Sequence, residues 1–269
     1  MVLFLFIFGL FIGSFLGVLV DRMPRNETFV KGHSYCEFCK KELKVKDLIP
    51  VLSFIFTKGK CRYCHVSLPY FYPIIEISTG ILFVLTYIFT ISNFKFLISN
   101  EVLNPQFLIA LIYYLIIVSM FVVVFFMDLK YGIILNKILL PLIAIILGYS
   151  FIFNPESLII NLVCGVLAFL FFLLIALGFK FVRGKDGMGG GDIKLAFVLG
   201  LFLGFPNIIL ALYLAFLTGA IVGIILILWK KKNLKNTSLP FGPFLILGAI
   251  ICLFFGNLIL PHVLIFLGL

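Results

Sequence analysis

Long apolar runs separated by short polar stretches dominate the chain, and most of the runs have the length of a membrane span. A helix needs about 20 apolar residues to cross the hydrocarbon core. Eight segments read this way: 2–20, 74–91, 106–127, 132–151, 157–179, 193–204, 207–229 and 241–260. The sixth is short and ends at the turn Gly204-Phe205-Pro206. Segment 2–20 lacks a basic leading region and a small-residue cleavage site, so it is expected to be a retained first helix rather than a signal peptide. Its Gly9, Gly13 and Gly17, with Ser14 beside them, recur at a spacing that lets two helix backbones approach closely.

Composition agrees with this pattern. Of 269 residues, 63% are hydrophobic and 12% charged, about half the charged share of a soluble domain. The expected class is an all-α polytopic membrane protein of about eight transmembrane helices. Lys and Arg then set orientation, because cytoplasmic loops carry them in excess. Ten lie in 21–73, followed by Lys130 and Lys137, then Lys180, Arg183, Lys185 and Lys194, then Lys230, Lys231, Lys232 and Lys235. Eight alternating spans put 20 of the 21 basic residues on one face, with only Lys95 opposite and both termini outside. The net charge of +10 is thereby explained by an anionic leaflet, with no nucleic acid needed.

Loop 21–73 is the one stretch polar enough to fold outside the bilayer, which divides the chain into a first helix (1–20), a cytoplasmic domain (21–73) and a membrane domain (74–269). The loop carries Cys36-x-x-Cys39 and Cys61-x-x-Cys64, each pair in a short polar knuckle. Four thiolates in two such knuckles match the closed tetrahedral shell of structural zinc. A reducing compartment disfavours disulfides between them. His33 and His65 are read as bystanders, and Cys164 and Cys252, in apolar helices, as core residues.

The remaining chemistry lies in acids at the ends of apolar spans. In Gly187-Met188-Gly189-Gly190-Gly191-Asp192-Ile193-Lys194, a glycine-rich loop delivers Asp192 to the N-cap position of a helix. The loop lacks the Lys-Ser/Thr ending of a phosphate loop. Asp128 ends the third span, and topology brings it to the same boundary as Asp192. Two carboxylates at one level suit general acid–base work, one acting on a water and the other on a carbonyl, because neighbouring carboxylates share a proton. Glu76 is expected in the first turn of the second span, where it either complements the helix dipole or serves the site. The irregular Leu239-Pro240-Phe241-Gly242-Pro243-Phe244 is expected in the wall of the site. No internal repeat is visible.

Together these residues resemble the type IV prepilin peptidases, membrane aspartyl proteases of the GxGD class. Gly189-Gly190-Gly191-Asp192 matches the signature and Asp128-Leu129 looks like the first catalytic aspartate. Pro240–Phe244, Gly13-Ser14-Phe15-Leu16, Arg22-x-Pro24, both Cys pairs and Tyr72-Pro73-Ile74-Ile75-Glu76 are similar to other family motifs. Gly17 and Leu135 stand where many relatives have Asn and Pro.

The resemblance implies a bifunctional enzyme of the bacterial cytoplasmic (inner) membrane. It would cut the leader of prepilins and pseudopilins, as used in type IV pili and type II secretion, through Asp128 and Asp192. It would then methylate the new N-terminus with S-adenosylmethionine, Glu76 being a candidate for the methyl-donor site. A peptidase without methylation, an ion-coupled transporter with broken helices and a zinc-organised scaffold are the alternatives. The zinc loop speaks against the first. Acids at one boundary, rather than mid-membrane, speak against the second. The paired aspartates speak against the third.

Overall fold

A computed structural model of the chain describes residues 1–28, 33–94, 105–184, 188–229 and 240–267. Lys31 (one of the ten basic residues of 21–73), Lys95, Lys185, Gly187, Leu239 and the basic residues of 230–235, all used above, lie outside the described residues. Nine α-helices are described: α1 Val2–Arg22, α2 Leu52–Phe56, α3 Phe71–Phe94, α4 Pro105–Tyr131, α5 Asn136–Phe153, α6 Pro155–Arg183, α7 Gly190–Leu203, α8 Asn207–Leu228 and α9 Gly242–Leu267. Among the described residues there are no β-strands, only two isolated antiparallel bridges.

Among the described residues seven helices are long and apolar enough to cross a membrane, so the chain is a multi-pass membrane protein. The eighth expected span is α7, which has 14 residues. At 1.5 Å per residue it is about 21 Å long, less than the hydrocarbon thickness. Its Leu195, Ala196, Val198, Leu199 and Leu201 are all fully buried. A helix that is apolar all round belongs inside protein rather than against lipid. Most helices outrun the apolar segments read from sequence by one to four residues. Hydropathy ends where lipid ends, whereas the hydrogen-bond ladder continues into the interface.

The chain divides into two compact units, residues 1–126 and 127–269. In the first, α1 packs along α3 through the glycine stripe. A Cβ at Gly9 would lie 2.7 Å from the Gly80 Cα, and one at Gly13 would lie 2.7 Å from the Glu76 Cα. The stripe is a packing surface, and it places Ser14 beside Glu76. α4 joins through aromatic edges, with Phe71–Phe126 ring centroids at 5.5 Å and Phe89–Tyr114 at 5.3 Å.

In the second unit α7 packs against α5, α6, α8 and α9. Its closest approach is to α6, where a Cβ on Gly200 would lie 2.7 Å from the Cys164 oxygen and the Gly165 Cα. Phe172, Phe216 and Phe241 stack between α6, α8 and the start of α9, with successive centroids 6.0 and 5.2 Å apart. Cys164 and Cys252 are buried, as expected of core residues.

These contacts predict a contrast between two glycines. Gly200→Ala forces a methyl onto a backbone carbonyl that cannot swing away, and overpacking of this kind costs about 1–3 kcal/mol. Gly148 has nothing within 4 Å of an added Cβ, so Gly148→Ala gains about 0.5–1 kcal/mol of helix stability. Thermal unfolding in detergent is expected to show a lowered midpoint for the first and an unchanged or raised one for the second.

Candidate functional site

Asp128 lies in the last turn of α4, one turn before the helix stops at Tyr131. Gly132 follows at φ +67° with its N–H on the Asp128 carbonyl at 2.8 Å. Because α4 runs past it, the side chain is inside the protein rather than at an exposed interface, with 4% of its surface accessible. Asp192 is 8% exposed. It is not the N-cap expected from sequence. Gly189 caps α7 in extended conformation, and Asp192 is the third helical residue, its N–H on the Gly189 oxygen at 3.1 Å. Its carboxylate still contacts the Gly189 backbone, as a third-position acid in a capped helix does, so capping describes only part of its surroundings.

The two acids come together around the start of α9. Each interacts with the Gly242 backbone, and they interact electrostatically with each other. The fit is close: a Cβ on Gly242 would stand 2.5 Å from Asp128 Oδ2. Ile134, in the turn between α4 and α5, packs against both sides, 2.9 Å from a Cβ built on Gly191 and 3.1 Å from one built on Gly242. Lys194, two residues beyond Asp192, donates to Asn136 Oδ1 at 3.0 Å and ties α7 to α5. Among the described residues Asp128 Oδ2 is buried without a hydrogen-bond partner. A buried polar atom left unpaired by the protein is the position at which a water or a proton is held. Gly189, Gly190 and Gly191 all lie at this end of α7, and Pro240 to Phe244 lead into the Gly242 contact, as expected for the wall of the site.

In the other unit the four cysteine sulfurs Cys36, Cys39, Cys61 and Cys64 lie within 4.8 Å of one another. All are free thiols, and Cys36 Sγ is 3.9 Å from Cys64 Sγ. Four sulfurs at about 2.3 Å from a tetrahedral ion stand about 3.8 Å apart, so the cluster can hold a metal ion without rearrangement.

The two knuckles repeat one backbone design at an offset of 25 residues. The N–H of Cys36 meets the Lys41 oxygen and that of Cys61 the Val66 oxygen. Tyr35 bridges Glu42 as Lys60 bridges Ser67. Lys40 and His65 both turn the chain at positive φ, 55° and 57°. His65 is thus a turn residue, as a non-ligand should be. Sequence reading missed the duplication because only the cysteines, the aromatics Phe38 and Tyr63 and the leucines Leu43 and Leu68 recur. Burial alone would raise the Cys61 thiol, but the backbone N–H groups of Cys64 and Tyr63 and its thiol neighbours Cys64 and Cys36 outweigh it and bring it down to about 7.

Glu76 lies in the second turn of α3, not the first, so the helix dipole does not explain it. It is buried and accepts the Val51 N–H at 2.7 Å, with Ser14 of α1 also bonded to it. Val51 holds a positive φ of 60°, an outlier for a β-branched residue and the kind of strain that clusters at functional sites. One turn earlier the Tyr72 hydroxyl donates to Asp21 at 2.7 Å. Asp21 is buried too, a second interior acid of this unit, in the last turn of α1.

Comparison with known proteins now bears on these sites. The model of the Bacterial Peptidase A24 N-terminal domain matches residues 7–90, and that of the Type IV leader peptidase family matches 115–224. The Prepilin leader peptidase/N-methyltransferase of Bacillus subtilis (strain 168) is 32% identical over 256 residues, which cover 95% of each chain. The chain belongs to the type IV leader peptidase family. Another relative of the same name, from Aeromonas salmonicida (strain A449), is 28% identical over 94% of this chain and 90% of its own. That of Pectobacterium carotovorum subsp. carotovorum is 30% identical over 91% and 89%. No solved structure matches. The first family model spans all four cysteines and Glu76, the second both Asp128 and Asp192, so the motif resemblance and the family agree along nearly the whole chain.

The thiol cluster predicts one metal ion per chain by elemental mass spectrometry. Removing a ligand in Cys61→Ser is expected to weaken binding by at least the 10–100-fold, roughly, that loss of an outer-shell partner costs. Ligating thiols must be deprotonated. Metal binding displaces those protons, so the metal is retained at neutral and alkaline pH and released as pH falls.

Proposed function

We propose that this chain removes the leader peptide of type IV prepilins and pseudopilins with Asp128 and Asp192, then methylates the new N-terminus using S-adenosylmethionine. The observation that carries the reading is a pair of buried carboxylates meeting at the Gly242 backbone, in a chain whose relatives are named prepilin leader peptidase/N-methyltransferase.

In the peptidase step one carboxylate takes a proton from water while the other, protonated, donates to the scissile carbonyl. Hydroxide adds to the carbonyl carbon. The amide nitrogen is then protonated, the carbon–nitrogen bond breaks, and the leader leaves with a carboxyl terminus and the pilin with an amine. The unpaired Asp128 Oδ2 is the atom to which we assign the water or its proton. Burial makes both steps stronger electrostatically than they would be in water.

Zinc is the metal we assign to Cys36, Cys39, Cys61 and Cys64, in a structural role, since four thiolates leave no open coordination position. S-adenosylmethionine supplies a methyl group on a sulfonium cation. The buried Glu76 carboxylate, anchored by the Val51 N–H, has the charge to face such a cation or the amine it methylates. We assign the domains as 1–20, 21–73 and 74–269. We place the chain in the bacterial cytoplasmic membrane with both termini outside and Asp128 and Asp192 at the cytoplasmic face, as the distribution of Lys and Arg supports.

Mass spectrometry of a prepilin N-terminus tests both activities. Wild type is expected to remove the leader, and to add one methyl only when S-adenosylmethionine is present. Asp128→Asn and Asp192→Asn are each expected to lose at least the roughly 10²–10⁴-fold that general acid–base catalysis contributes. Gly242→Ala, which displaces the Asp128 carboxylate, is expected to lose about 10²-fold, the cost of misplacing a reacting group by about 1 Å. Glu76→Gln is expected to cleave but not methylate. Full cleavage by either Asn variant would contradict the assignment.

A further inference from the structure

Between the two cysteine knuckles runs a segment whose apolar residues face outward. Val45, Leu48, Ile49, Leu52, Ile55 and Phe56 are all exposed, Val45 at 84% and Phe56 at 78%. They lie on a short 3-10 turn, Val45–Asp47, the bend after it and α2, and all are turned away from the protein. Exposed apolar clusters in a polar domain mark a binding surface. Lys44, Lys46 and Lys58 in the same segment are exposed as well, while its one acid, Asp47, is engaged by Arg62 at 3.1 Å and by the Tyr63 hydroxyl at 2.8 Å. The free surface of the segment is therefore apolar and cationic.

A tether shows where this surface lies. The Phe54 ring of α2 packs on Tyr70 with centroids 5.4 Å apart. Tyr70 accepts the Ile74 N–H at 3.2 Å and so opens the register of α3. It falls on the face occupied by Ile74, Ile77, Ile81 and Ile88, all exposed along a membrane-spanning helix. That stripe faces lipid. α2 thus sits on the lipid side of α3 where the chain re-enters the bilayer, and its apolar surface continues the stripe.

We propose that segment 45–58 is a membrane-surface anchor, its Val45 to Phe56 face inserted at the headgroup–acyl boundary of the leaflet where α1 ends and α3 begins, with Lys44, Lys46 and Lys58 on anionic headgroups. Interfacial elements of this composition bury their apolar face about 5–10 Å into that boundary, and each nearby cation adds electrostatic attraction on an anionic leaflet. The anchor holds the thiol cluster against the membrane rather than leaving it on a free loop. It does not depend on the peptidase or methyltransferase reading.

The chain has a single tryptophan, Trp229, which makes a depth measurement direct. Trp229→Phe carrying Phe56→Trp, and separately Val45→Trp, would be reconstituted at full length in phosphatidylcholine–phosphatidylglycerol vesicles with or without lipid brominated near the headgroup. The expected result is blue-shifted emission that brominated lipid quenches strongly and a soluble quencher does not, before any prepilin is added. Lys46→Glu with Lys58→Glu is expected to reduce the lipid quenching. Both substituted positions are on the surface, and unchanged metal content of each variant verifies the fold. Water-like emission with no lipid quenching at either position would overturn the proposal. So would protection that appears only when a prepilin is supplied, since the surface would then be a substrate dock.

Discussion

A carboxylate at membrane depth is expensive unless the surrounding backbone holds it in place, and this constraint organises the second unit. Asp128 and Asp192 belong to helices joined by two further spans, and what brings them together is close backbone contact, supplemented by one side-chain bridge between α7 and α5. α7 is drawn against α6 at Gly200 and Gly165. Asn136 holds Lys194. Gly242 enters between the two acids where no larger residue fits beside Asp128 Oδ2. The stacked Phe172, Phe216 and Phe241 lock the approach of α9 from behind. Packing in an apolar medium depends on small residues and dispersion, so the precision of the acid pair is inherited from glycine contacts one or two turns away.

The first unit applies the same logic to a different end. The Gly9 and Gly13 contacts bring Ser14 of α1 against Glu76 of α3, and the knuckle domain sends one backbone N–H, that of the strained Val51, to the same carboxylate. A metal in the thiol cluster would therefore stabilise more than a loop. It would hold the segment that presents Val51, and through it the orientation of Glu76. Folding of such small cysteine domains is coupled to metal binding, which gives a physical route by which metal loss could impair chemistry at a residue that is not a ligand.

Much of this was legible in the sequence because its signals are short-range. Apolar runs mark the spans, and cysteine spacing alone selects the knuckles. The acids stand out against hydrocarbon, so Asp128, Asp192 and Glu76 could be named without coordinates. What hydropathy does not carry is where a helix begins and ends. Asp192 moved from the cap to the third position of α7, Glu76 from the first to the second turn of α3, and Asp128 from an interface to an interior. The shifts of Glu76 and Asp128 change the physical reading of those acids, away from dipole and interfacial roles, while Asp192 keeps a cap contact to Gly189 alongside its interaction with Asp128. The Tyr72–Asp21 hydrogen bond and the tether of Phe54 to Tyr70 depend on tertiary contact between separate elements, and no local pattern announces them. The shortness of α7 was visible, but the fact that it is enclosed by four other helices was not.

The central claim is that Asp128 and Asp192 act as one unit, and a double-mutant cycle tests it most directly. Initial rates of leader removal would be measured for wild type, Asp128→Asn, Asp192→Asn and the double variant under identical detergent and lipid conditions. Residues that act jointly are strongly non-additive. The double variant is therefore predicted to be no slower than the slower single variant. Losses that multiply across the two sites, or near-normal cleavage by one single variant, would contradict the account.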